Sequence, residues 1–511
     1  MGRVTSVSAQ PSGGASTPVA SSVAYEPFGP DTGFRYGSAG QETRAFDQDY
    51  RLTNVTSLGT VRRGLVRVFE NLSYAYYPTN NVQTITDALT SGNSQSLSYD
   101  SLQRLGQAAG SYGSLGFTYD GDGNQLTQTL GATTTSYGSG SGSDQLATIS
   151  VGGVATQAIG YTADGRMASL NPGIQTPGSQ YITSLSYNQN AQLSAVNAGS
   201  GAFASYTYNG FGQRLIKTVS GSYGEIYQYG QDGALFEETN ASGVAQADYV
   251  YLNGRPVAVV NGSTLYFLHD DRLGTPQVAS DGSQNIQWQA SYEPFGQTAS
   301  VSGTITQNLR LPGQYFDVET GWNHNGFRDY APQLGRYLEP DPLGRLGSGN
   351  NLYAYVNDNP ANLADPLGLC PNKLTSILRK IGNYIPVPCG GGAFAYGGLN
   401  VGAVFNVQVA KWFQYDTREG GSKGTFAEGS AGEVIVGGVG QQFTPGQPVE
   451  TYGFLGLGGS FGVASGNVSG FVSSSYSAGV AAEGGIGALG GGVGIYQNWD
   501  TATSCFDHGG R

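Results

Sequence analysis

An all-β fold follows from three features of the sequence. Glycine supplies 82 of 511 residues, roughly twice the usual share, and each glycine inside a helix costs about 1 kcal/mol relative to alanine. Tyrosine (33) and phenylalanine (21) recur between Gly, Asn and Asp, the composition of short strands joined by tight turns. A short hairpin-like string also returns many times along the first half of the chain. Charged residues are scarce at 12% while 38% are hydrophobic, which excludes a disordered chain.

The elements follow from the repeats. AFDQDYRLTNV (from Ala45), LSYDSLQRLGQA (from Leu97), FTYDGDGNQLTQT (from Phe117), IGYTADGRMASL (from Ile159), LSYNQNAQLSAV (from Leu185), YTYNGFGQRLIKT (from Tyr206) and IYQYGQDGALFEE (from Ile226) share one order. An aromatic residue is followed by Asp or Asn, a turn, then Leu or Met and a new strand. The Asp or Asn side chain bonds the backbone two residues on, and Gly takes positive φ. Each unit therefore reads as a β-hairpin. A hairpin cannot bury its own apolar face, so the hairpins must stack. By themselves these repeats are architecture. The opening MGRVTSVSAQPSGGAS lacks a charged stretch followed by an apolar core, so no signal peptide is expected. Because the chain begins inside a repetitive pattern, residues 1–44 read as the fragmentary start of the repeat region of a longer protein.

After the hairpins come YLNGRPVAVV (from Tyr251), YFLHDDRLGTPQVASDGSQNIQWQASYEPFGQ (from Tyr266) and LRLPGQYFDVETGWNHNGFRDYAPQLGRYLEPDPLG (from Leu309). With these strings the chain resembles the Rhs/YD-repeat proteins, polymorphic toxins with an Rhs-associated core, over about residues 25 to 369. The resemblance extends to the C component of insecticidal toxin complexes. It implies a β-ribbon over 45–300 that spirals into a hollow shell. A core plug over 301–369 closes that shell, and a variable C-terminal cargo over 370–511, often a toxin, lies inside. It also implies a protein secreted or delivered at the bacterial cell surface, with a secretion machine and an immunity protein as partners besides its own cargo.

The plug carries two similar pieces, Asp341-Pro342-Leu343-Gly344 and Asp365-Pro366-Leu367-Gly368-Leu369. Read alone, Asp-Pro with a following Gly is a turn or helix start, in which the carboxylate caps amides and Pro presets φ. The resemblance instead implies a self-cleaving core cut between Leu369 and Cys370, with Arg328, Asp341 and Asp365 as the cleavage residues. The chemistry is sound on its own terms. Two carboxylates held together in a dry site can share one proton, so that one activates water while the other protonates the leaving amide. Arg328 would stabilise the oxyanion or fix the charge of an Asp. A rival nucleophile is the thiol of Cys370, next to the scissile bond. His269 and His324 read as packing or turn residues, and neither a metal nor a cofactor is expected.

Composition changes at Leu369. Before it stand 16 Arg and one Lys, and after it three Arg and four Lys; the YD strings stop there too. The C-terminal part opens on one short helix, in which Leu374, Ile377, Leu378 and Ile381 recur at helical spacing. Gly-rich alternating runs such as LNVGAVFNVQVAKWF (from Leu399) follow and predict six to eight strands with one apolar face. Runs of that length suit a membrane-active β-module, and a water-soluble barrel or sandwich equally. No enzyme constellation stands out. Cys389 with His508 is the one thiol–imidazole pair, and a buried thiol or a Cys389–Cys505 disulfide explains the cysteine more simply. A net charge of −12 argues against nucleic acid as a partner. Beside a toxin shell whose cargo acts on a target membrane, the repeats also fit a surface adhesion or carbohydrate-binding protein without cleavage.

Overall fold

The computed structural model describes residues 3–369, apart from breaks at 12–13, 28, 39, 61–64, 178–179, 200, 221–223, 232 and 346–349, and the backbone of eight strands between 391 and 498. The expected helix at 373–381 lies outside the described residues, as do Cys370, Cys389 and His508. Two compact units divide between Thr375 and Ser376.

In the first unit, 27 strands from Val7–Ala9 to Thr298–Gly303 form one antiparallel sheet. Each strand pairs with the next in sequence. The turn explains the repeat. At Asp100, Oδ1 accepts the N–H groups of Leu102 and Arg104, each at 2.9 Å, while Oδ2 accepts Arg104 Nε at 2.7 Å. Gln103 takes φ +66°, closing a turn with a bulge at Ser98/Tyr99. Asp47, Asp120, Asn188, Asn209, Asn240, Asp271 and Asp281 accept the same pair of backbone N–H groups, two and four residues on. Where a tyrosine stands before the turn, as at Tyr99, Tyr119, Tyr187 and Tyr208, its hydroxyl ties the hairpin to the one before. Tyr99 donates to the Val82 carbonyl at 2.8 Å, Tyr119 to Leu105 at 2.8 Å and Tyr208 to Leu193 at 2.7 Å.

The ribbon curves back on itself. Tyr36 donates to the Leu268 carbonyl, Arg255 pairs with Asp31 and Glu42, and Val19, Phe34 and Tyr36 share a core with Val257 and Phe267. Residues 307–369 then lie against the turn ends of the hairpins. Asn351 bonds Asn124, Tyr353 donates to the Gly165 carbonyl, Asn359 bonds Asn81 and Arg272 bonds the Ala361 carbonyl. Apolar side chains of this segment complete the ribbon's cores: Trp322 and Leu338 join the cluster of Leu146, Met167 and Val196, and Tyr315 joins that of Tyr227 and Trp288. Four short strands from Tyr315–Asp317 to Arg336–Tyr337 form a sheet within it.

In the second unit eight strands, from Gly391–Val401 to Gly491–Asn498, pair in succession, and the last returns to the first as a closed barrel.

Candidate active site

The strand Trp322–Asn325 turns at Gly326 into the strand Arg328–Ala331. That turn sends Arg328 into the interior of the core segment, where its side chain is 1% exposed. Its Nη2 lies 3.1 Å from Asp341 Oδ2 and 3.2 Å from Asp365 Oδ2, so one nitrogen bridges the two carboxylates of the repeated Asp-Pro pieces. Nε donates to the Gly368 carbonyl at 2.5 Å and Nη1 to the Leu352 carbonyl at 3.2 Å. The guanidinium lies over the ring of Tyr337, with Cζ 3.6 Å from its centroid.

Each aspartate is positioned by its own turn. Asp341 Oδ1 accepts the Leu343 N–H at 2.8 Å, the capping bond expected of an isolated Asp-Pro turn. Asp365 Oδ1 accepts the N–H of Leu369 at 3.0 Å, so a carboxylate oxygen is already bonded to the residue that would carry the scissile carbonyl. Asp365 Oδ2 also accepts the Tyr337 hydroxyl at 2.8 Å. Asn325 Nδ2 donates both to that hydroxyl, at 2.8 Å, and to the Asp365 carbonyl, at 3.0 Å. Burial, and next the Asp365 carboxylate, push the Tyr337 hydroxyl well above its ordinary range, so it remains a donor.

Arg328, Asp341, Asp365 and Leu369 thus converge, and only the Cys370 side of the bond lies outside the described residues. Asn325 and Tyr337 escaped the sequence reading. Their signal was proximity, since Asn325 is three residues before Arg328 and Tyr337 four before Asp341. His269 lies elsewhere, buried between Ser57 Oγ at 2.6 Å and Ser280 Oγ at 2.8 Å and stacked on Phe69. His324 contacts Asp329 at 3.2 Å. Among the described residues no three His, Cys, Asp or Glu side chains are grouped to hold a metal.

No family model matches the chain. The double-stranded DNA deaminase toxin A of Burkholderia cenocepacia is 30% identical over 208 residues, which is 39% of this chain and 14% of that protein. The chain therefore spans about a seventh of the length of that relative. The Tc holotoxin pore of Photorhabdus luminescens superposes on 71% of this chain and 19% of its own with a TM-score of 0.52 and 21% identity. A crystal structure of TcdB2–TccC3 matches 72% of this chain and 20% of its own, with a TM-score of 0.53 and 21% identity.

Proposed function

Because the chain belongs to the Rhs/YD-repeat family of polymorphic toxins, we propose that it is the C-terminal part of such a toxin, and that it cuts itself after Leu369 to free a C-terminal effector. One observation carries the reading: a single nitrogen of Arg328 contacts both Asp341 and Asp365, while Asp365 holds the Leu369 amide. Water attacks the Leu369 carbonyl carbon as one carboxylate takes its proton. The oxyanion that forms is stabilised by the nearby guanidinium. The bond to the Cys370 nitrogen then breaks as the other carboxyl gives that nitrogen its proton. The products are a Leu369 carboxylic acid, which passes its proton to the new Cys370 amine, and two aspartates that have exchanged protonation states.

The repeat ribbon serves as a container. Its inward curl and the packing of residues 307–369 against its turn ends support closure by the plug. Such a protein is secreted or delivered, with an immunity protein guarding the producer. Purified wild-type protein should give two masses under denaturing conditions, and Asp341→Asn and Asp365→Asn one. Normal cutting in both Asn variants, together with loss of cutting in Cys370→Ala, would transfer the chemistry to the thiol. A wild-type chain that is never cut favours an adhesion protein.

A membrane role for the effector draws support from the register of its strands. Leu399, Val409, Ala427 and Val439 pair in one row, and Leu457, Val468, Ala482 and Ile495 in another on the same barrel face. Asp416, Glu428, Glu450 and Glu483 fall on the opposite face together with Tyr396, Trp412, Phe454 and Phe471, while Lys411 and Lys423 share the face of the two rows. Strands of 8–12 residues have about the length that crosses a bilayer. Dye-filled anionic vesicles exposed to the cut protein should leak. Tight vesicles, together with undepolarised cells after expression, contradict the membrane reading and leave the cut untouched.

A further inference from the structure

We infer that Gly313 and Gly326 form a slot, free of side chains, that grips the main chain of Asp365–Leu369 and thereby sets which peptide bond is cut. The inference rests on the self-cleavage proposed above. It concerns how the bond is chosen.

Three glycines meet at this segment from two sides. A Cβ on Gly313 would stand 2.5 Å from the carbonyl carbon of Pro366 and closer still to its oxygen. On Gly326 it would stand 2.5 Å from the Leu367 oxygen. On Gly368 itself it would collide with the Asn325 carbonyl oxygen and lie 3.2 Å from the Arg328 nitrogen. In each case the obstacle is backbone, which cannot swing aside as a side chain can. All three residues also hold left-handed φ values, +82°, +60° and +67°.

The polar grip is likewise on the main chain. Phe327 N–H donates to the Leu367 carbonyl at 3.0 Å, Asn325 to the Asp365 carbonyl at 3.0 Å and Arg328 Nε to the Gly368 carbonyl at 2.5 Å. The Leu369 N–H returns to Asp365 Oδ1 at 3.0 Å. The side chains of Leu367 and Leu369 are only half-buried. The segment is therefore held at Gly368, and the reacting carbonyl is the next one along, whichever residue follows. Cleavage register is counted from Gly368.

The test moves the sequence while leaving the slot intact. One leucine is inserted between Gly368 and Leu369, so that a leucine still follows Gly368. The expected cut falls after the inserted leucine, and the C-terminal fragment gains the mass of one leucine over the wild-type fragment. A fragment of unchanged mass, cut again before Cys370, overturns the slot, and so does an uncut chain. If the wild type itself is uncut, the self-cleavage reading fails instead. Gly313→Ala and Gly326→Ala should each slow cutting about a hundred-fold, because a displacement near 1 Å at a reacting centre costs that much. Gly210→Ala, which faces open space, should cut at the wild-type rate. Wild-type rates in both slot variants also overturn the inference.

Discussion

Glu238 is buried on the ribbon, where its carboxylate accepts the hydroxyls of Tyr249 and Tyr315. Two donors favour the ionised form, yet burial outweighs them and pushes the carboxyl up to about 7. In the unfolded chain it titrates near its ordinary 4.5. Between these values the folded state binds more protons, so the contribution of Glu238 to stability is full below about pH 4.5 and is lost as pH rises through 7. We expect Glu238→Gln to flatten the fall in Tm between pH 5 and 8 and to gain about 2 kcal/mol at pH 8; an unchanged slope in a pH series of melting curves contradicts this. His269 runs the other way. Burial holds it down to about 3, so its contribution is full above pH 6.5 and lost as pH falls towards 3. At the candidate site, Arg328→Lys keeps a charge but cannot reach two carboxylates and two carbonyls at once. A time course of cutting should slow by about a hundred-fold, the cost of removing one donor from an oxyanion site.

The hairpin is the element in which sequence and structure agree most closely, because its signal is local. Asp or Asn, a positive-φ residue and a closing Arg or Gln are neighbours in the chain, and the bonds they make span four residues. The tyrosine was legible only as an aromatic strand residue. Its hydroxyl bond crosses to the preceding hairpin, 17 residues away for Tyr99 and Val82, and no local pattern encodes that. The two effects should separate by mutation. Tyr119→Phe removes one neutral bond, to the Leu105 carbonyl, worth about 1 kcal/mol. Asp100→Ala removes the acceptor of two backbone N–H groups and of Arg104, so chemical denaturation should show about 2–3 kcal/mol. Equal losses would deny the carboxylate its role in the turn. Backbone and side-chain donors hold Asp47, Asp100, Asp120 and Asp281 below their ordinary value, against the opposing effect of burial. Their contribution is full above about pH 4 and lost as pH falls below it, so the ribbon should loosen in acid. In the core segment, Arg328, Asp341 and Asp365 were legible through the repeated Asp-Pro pieces and the resemblance. Tyr337 and Asn325 were not, since a buried tyrosine and a turn asparagine look alike in sequence whether they pack or position.

At the scale of the molecule, the ribbon, the core segment and the barrel answer different questions. The ribbon gives each inner hairpin a neighbour on both sides, and the core segment lies against its turn ends. The core segment gathers two aspartates, 24 positions apart in sequence, onto one arginine. The strands of the C-terminal unit follow from Gly/apolar alternation, whereas the helix expected at 373–381 falls outside the described residues. What joins these parts into one account is the cut after Leu369. Intact mass under denaturing conditions, on freshly purified wild-type protein and on Asp365→Asn, tests it most directly. The wild type should give fragments 1–369 and 370–511, and the variant a single full-length chain. A single full-length wild-type chain, or the same two fragments from Asp365→Asn, would contradict it.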